Sequence, residues 1–527
     1  MCKRVDRASA PDMLCYNMHM THLQRANLLM WCMVVLYVAI AFARLGHMGM
    51  APAYGDDNAV YITSAIALAT GQGYKLIALV GSPPALFYPI GYPMALAPFF
   101  AVFSVPVAML AGRLLNIALV ATTCLLVYRY LTKRTQVSPL LSALVVGMFA
   151  LSPTMFTWTL MLYSESLYTC LSILCLLAAG KESKKTWLIA GVLAGLSMLV
   201  RTLGFTLVGA LLLSSLLKRN SRQFWWQLFG VAAIQGPWLL YSFLNKGGTL
   251  SGYSGQAARE WSLASMAHNV MQMVSVVVPT VVVPITESQV FERLLDRLPL
   301  FTFGLAAIGC LVWWMVACRV WQGLKAKAPM ALYICLYVGL LIVWPWPPPR
   351  FMSSVFPILA ILLSEQLHES LLRWHPRAGK ILGAIAIVAI LSSLSLQVSR
   401  VKYSFQLGDS SSVAGQAAWD EFQESAALVE NNTEKDAVIV SSWPYSLWLL
   451  TNRKTVWLSP TTTLPQTFEK TGKDHPVYVL ASRRDHPNTG IEFGVTPVLN
   501  YIKEHPRDLY EAGRTARGTH ILYRVSK

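Results

Sequence analysis

Two adjacent carboxylates, Asp56 and Asp57, stand in "YGDDNAVYITSAIALATGQG", just after the first apolar run of the chain. A carboxylate there can take a proton from a hydroxyl, or it can cap the short helix that follows, since its oxygens accept the unpaired N–H groups of a first turn. The two roles are compatible, because a cap also fixes the carboxylate in place. Neighbours on a helix point about 100° apart, so both cannot serve one reacting atom; one acts and the other supports it. Arg201 and Arg350 are the candidate cations, with a planar fork that grips phosphate oxygens in pairs. Snorkelling to headgroups carries equal weight for both, and is the reading preferred for Arg44. Glu165 can pair with an arginine, hold a metal or cap the helix it opens; pairing is the first expectation. Tyr88 and Tyr92 lie among Pro89, Pro93 and Pro98, in backbone irregular enough to need a cavity or protein around it. They either floor that cavity or belong to an interfacial aromatic belt.

The elements that must position these residues are mostly apolar. The chain has 527 residues, 55% hydrophobic and only 13% charged, against about 25% charged in soluble domains. Apolar runs of this kind need an apolar solvent, so the expected class is a polytopic α-helical membrane protein. About 11 transmembrane helices can be marked, several below the ideal length of about 20 residues. The net charge of +17 is explained by loops rather than nucleic acid. Basic clusters such as Arg129–Arg134, Lys181–Lys185, Lys218–Arg222 and Arg319–Lys327 fall in every even gap between spans. That parity predicts a cytoplasmic N-terminus and an extracytoplasmic C-terminus, and it places Asp57, Glu165, Arg201 and Arg350 on the outer side. The helix after Asp57 is too short to span and too apolar to float free, so it is expected along the interface. The nine cysteines read as small buried hydrophobes, without a metal-binding spacing.

From about Lys402 the character changes. "AAWDEFQESAALVENN" has helical spacing, and "DAVIVSS", "KTVWLS", "PVYVLAS" and "HILYRV" read as short strands. The division expected is a transmembrane domain over 1–400 and a small extracytoplasmic α/β domain over 401–527.

The first-loop pattern is an acid followed four residues on by Tyr61, then "ALATGQGY" and "PPALFYPIGYPMALAP". It resembles the GT-C glycosyltransferase superfamily, nearest to the lipid A aminoarabinose transferases and the bacterial relatives of protein O-mannosyltransferases. "YSESLY", "GLSMLVRTLGF", "PPPRFMSSVFPIL" and "DAVIVSSWPYSLWLLTNRKTVWLSP" are weaker matches to the same families. The resemblance implies inverting transfer of a sugar from a polyprenyl-phosphate donor to an extracytoplasmic lipid, glycan or protein, in the inner (plasma) membrane. It makes Asp57 the catalytic base and Asp56 a helper. Arg201 and Arg350 then bind the donor phosphate, and Tyr61, Tyr88, Tyr92 and Glu165 surround the substrate cavity. Two departures stand out. The chain has Asp57-Asn58 where the family often has Asp-Glu, and Ser82 where the aminoarabinose transferases have a lysine; Lys75 is the candidate replacement. No ligand spacing requires a cofactor. Some relatives use a divalent metal, for which Asp56 and Glu165 would be the ligands. The rival function is a transporter or flippase of lipid-linked sugars, which the lack of a clear internal repeat and the few charges at span centres disfavour. A third is a non-catalytic scaffold.

Overall fold

The computed structural model describes residues 21–45, 57–245, 262–277, 299–346, 348–372, 375–407, 413–458, 464–469, 471, 475–482 and 495–526. Asp56 lies outside them. The chain opens with α1 (His22–Leu45), α2 (Asp57–Ala69), α3 (Gly91–Val102), α4 (Val105–Arg134), α5 (Pro139–Leu151) and α6 (Pro153–Leu160). Then come α7 (Glu165–Ala179), α8 (Lys184–Val200), α9 (Gly204–Leu217), α10 (Ser221–Leu244) and α11 (Leu263–Gln272). The bundle closes with α12 (Pro299–Lys325), α13 (Pro329–Ile342), α14 (Pro348–Ser353), α15 (Phe356–Leu367) and α16 (Pro376–Leu407). Proline opens many of these helices, where its fixed φ suits the first turn and its missing N–H costs nothing.

Among the described residues, four helices are long and apolar enough to cross a membrane: α1, α4, and the parts of α12 and α16 at Phe303–Lys325 and Ala378–Val398. The remaining apolar helices are shorter; α5, with 13 residues, reaches only about 20 Å. The expected count of 11 spans therefore does not follow from helix length. Large apolar side chains stay exposed on these helices, as with Phe243 at 80% and Trp314 at 70%. Faces like these require a partner or an apolar solvent. Arg44 corrects an expectation. It does not snorkel but is buried, donating from Nη1 to Gln397 Oε1 at 3.0 Å. A buried guanidinium must find acceptors, and α16 supplies this one. The stretch around Pro93 and Pro98 is also more regular than expected, since both sit within α3.

The C-terminal part begins with α17 (Val413–Asn432), followed by β1 (Val438–Ser441), α18 (Pro444–Thr451), β2 (Lys454–Trp457), α19 (Leu464–Phe468) and β3 (Val477–Ser482). It ends with α20 (Val495–Glu504), β4 (Leu509–Arg514) and β5 (His520–Val525). The sheet order is β2-β1-β3-β5-β4, with the β1 pairings parallel and those of β5 antiparallel. Val440 stands opposite both Val456 and Val479. β1 and β3 are almost continuously apolar because the sheet is covered on both faces. One cover is α17, through Phe422, Ala426 and Val429.

The outer edge of β2 is not left open. Thr455 donates its N–H to Ala78 O at 2.9 Å, and Val80 N–H donates to Thr455 O at 3.1 Å. The Thr455 hydroxyl donates to Ala78 O as well, at 2.9 Å. Lys454 adds bonds to Ile77 O at 2.6 Å and to Ser82 Oγ at 3.1 Å. A short piece of the first loop thus extends the sheet and removes an edge that would otherwise recruit other chains. α18 packs against α2, so the C-terminal part also abuts the helix that carries Asp57.

Candidate active site

Four elements converge on one cluster. α2 begins at Asp57, α7 begins at Glu165, α8 ends just before Arg201, and α14 carries Arg350. The approach of α3 to the end of α8 fixes part of this geometry. A Cβ on Gly91 would sit 2.7 Å from the carbonyl carbon and oxygen of Leu199, so only glycine allows the contact beside Arg201.

Glu165 is the centre. Its Oε1 accepts Arg201 Nη1 at 2.6 Å and Arg350 Nε at 2.6 Å. Its side chain is only 2% exposed. Arg350 extends outward to donate Nη1 to Asp57 Oδ2 at 2.5 Å, and the Tyr88 hydroxyl donates to Asp57 Oδ1 at 2.6 Å. Arg201 also donates to Ser164 Oγ at 3.3 Å, and that hydroxyl shares a 3.3 Å bond with Tyr61. Tyr61 and Tyr88 meet edge to face, with ring centroids 5.5 Å apart. The contacts form a closed ring from Asp57 through Arg350, Glu165, Arg201, Ser164, Tyr61 and Tyr88 back to Asp57. The Arg350 Cζ lies 4.1 Å from the centroid of the Tyr163 ring, and the Arg201 Cζ lies 5.2 Å from that of Phe351. Such stacking suits a delocalised guanidinium held away from water. Burial pushes the Tyr61 phenol up to about 12, so it remains a neutral hydrogen-bonding group rather than a base. Asp57 and Arg350 are the outermost charged members, with side chains 22% and 16% exposed.

The sequence candidates divide accordingly. Asp57, Glu165, Arg201, Arg350, Tyr61 and Tyr88 come together. Tyr92 is fully buried, bonded to Asn116 and edge to face with Tyr61 at 5.2 Å between ring centroids, so it packs beneath the cluster. Lys75 is exposed, and among the described residues its side chain makes no hydrogen bond or ion pair to the ring. Lys454 is the lysine that reaches Ser82. Sequence reasoning missed Ser164, although "YSESLY" contains it. It also missed Asn116, whose amide bonds to the carbonyls of Thr159 and Met161 and so steadies the turn into α7. Arg113, 9% exposed within α4, is a further intramembrane charge that the count of spans passed over. A divalent metal does not fit at Glu165: two guanidiniums already share one of its oxygens, and they would repel a dication. Among the described residues, no group of three His, Cys, Asp or Glu could hold an ion.

The fold is a helical bundle with an acid-bearing helix in its first loop and a mixed sheet docked on that loop. Two solved structures share it over nearly the whole chain or most of it. ArnT from Cupriavidus metallidurans, in its crystal structure bound to undecaprenyl phosphate, aligns with a TM-score of 0.57 and 14% identity, covering 93% of this chain and 97% of that one. The oligosaccharyltransferase of Archaeoglobus fulgidus, in a complex with Zn and sulfate, aligns with a TM-score of 0.53 and 12% identity, covering 85% and 68%. No family model and no curated protein matches the sequence.

Proposed function

We propose that the protein is a membrane glycosyltransferase, moving a sugar from a polyprenyl-phosphate donor to an acceptor outside the cytoplasm with inversion. The observation that carries this reading is the 2.5 Å contact between Asp57 and Arg350, which puts a proton acceptor and a phosphate-binding cation within reach of one phosphosugar. Asp57 takes the proton from the acceptor hydroxyl, and the acceptor oxygen bonds to the anomeric carbon. The bond from that carbon to the phosphate oxygen breaks, and its electron pair stays on polyprenyl phosphate facing Arg350. Arg201, buried behind Glu165, acts by holding that carboxylate. The undecaprenyl phosphate bound to ArnT is a donor-side product of the required chemistry and supports the choice of lipid carrier.

The contacts also support the topology read from the charges. The four residues assigned to the outer side meet in one ring. At the other end of α15, Arg319 pairs with Glu365 at 2.8 Å and Glu369 at 3.3 Å, uniting two segments assigned to the cytoplasm. We therefore place the N-terminus inside, the ring and the domain over 401–527 outside, and the whole in the inner membrane. Transport would call for charged groups along a path through the bundle; the ring lies at one edge.

The test uses purified protein in detergent, where no gradient exists, with a labelled polyprenyl-phosphate sugar. Release of free polyprenyl phosphate only when acceptor is added is the expected result. Asp57→Asn should abolish it while the protein still folds. Full activity in folded Asp57→Asn protein would end the assignment.

A further inference from the structure

The ring contains two arginines and two carboxylates, so its formal charge is already balanced. A donor phosphate brings more negative charge to a ring whose described members have no net charge to offset it. The residue it must reach, Arg350, already gives one arm to Asp57. The base is occupied in the same contact, since Asp57 Oδ2 accepts that arm and Oδ1 accepts Tyr88. Glu165 differs. It holds Arg350 through Nε, a different nitrogen, and its Oε2 is buried without a hydrogen-bond partner among the described residues. Arg350 can therefore release Asp57 and still be anchored.

We propose that the donor phosphate displaces Asp57 from Arg350 Nη1, with Glu165 as the fixed pivot, so that donor binding itself frees the base. Glu165 is then a positioning residue, and acceptor activation follows donor binding in a set order. No covalent bond changes in this exchange; one ion pair replaces another. The inference rests on the glycosyltransferase reading and adds to it a means of keeping the base idle until a donor is present.

The two carboxylates should then affect phosphate binding in opposite directions. Simple charge removal would make both Asp57→Asn and Glu165→Gln bind phosphate more tightly. Exchange on a pivot predicts that Asp57→Asn binds tighter, because its competitor is gone, and that Glu165→Gln binds weaker, because the arginine loses its anchor. The measurement is the affinity of undecaprenyl phosphate for the full-length protein in detergent. Roughly twofold to fivefold tighter binding is expected for Asp57→Asn, the upper part of the range for losing an exposed ion pair. Asp57→Ala should tighten binding too, and serves should Asp57→Asn fail to fold. Wild-type binding with unchanged or weaker affinity in the Asp57 variants would overturn the exchange and leave the function reading intact. Tightening in both Asp57→Asn and Glu165→Gln would overturn the pivot. Absence of binding by the wild type would overturn the donor assignment and the exchange with it.

Discussion

Replacing Arg350 with lysine separates charge from geometry. Arginine reaches Glu165 through Nε at 2.6 Å and Asp57 through Nη1 at 2.5 Å, two directions from one rigid plane. Lysine keeps the positive charge but has a single nitrogen, so it can serve one of these carboxylates well and not both. A hydrogen bond to a charged group contributes about 1.5–3 kcal/mol. Arg350 and Asp57 are each less than a quarter exposed, so solvent screens only part of that. With the donor phosphate in the place of Asp57, the lysine nitrogen must serve either Glu165 or the phosphate, and the loss of one such bond predicts a fall in kcat/KM of roughly 10- to 150-fold for Arg350→Lys. Arg350→Ala should be worse, since it also strips the buried Glu165 of one of its two cations, and breaking a buried pair costs about 3–5 kcal/mol. The assay is sugar transfer from labelled polyprenyl-phosphate donor, run on protein shown to be folded by thermal unfolding in detergent. Wild-type kcat/KM in Arg350→Lys would refute the claim that the fork matters, and equal losses in lysine and alanine variants would show that the charge alone does nothing.

Two further outcomes are expected away from the charges. Gly91→Ala would force a methyl against the backbone of Leu199 and should destabilise by about 1–3 kcal/mol; an unchanged unfolding midpoint would show that α3 and α8 can separate freely. Thr455→Pro removes the N–H and hydroxyl donated to Ala78 O, so hydrogen exchange at the Val80 amide should accelerate while the β1–β3 amides stay protected, and unchanged Val80 exchange would refute the docking.

Much of the site was legible because its residues break local rules. Arg201 and Arg350 are cations on the side of the bundle where basic residues are scarce, and Asp57 opens a helix where an acid also serves the dipole. The charge parity of the loops was enough to bring four residues, scattered from 57 to 350, to one end. What could not be read was their pairing. Nothing in the spacing tells that Glu165 takes both arginines on one oxygen, or that Tyr88 donates to Asp57 while Tyr92, four residues on, turns inward to Asn116. Those choices depend on helix rotation set by distant packing. In the C-terminal part, β1, β2, β3 and β5 fall within stretches rich in Val and Tyr, whereas β4, "LYEAGR", is charged and half exposed. An edge strand has only one partner and needs no apolar pattern. The contact between Lys454 and Ser82 joins segments 372 residues apart and leaves no trace in the sequence.

That last junction sets a schedule. The loop at Ala78–Val80 is made early as the chain leaves the ribosome, yet the strand that secures it is completed 377 residues later. At about 5–20 residues per second, the acid-bearing helix waits on the order of tens of seconds for its outer support. A nascent protein can thus insert its greasy helices well before the first loop gains the strand that finishes its arrangement.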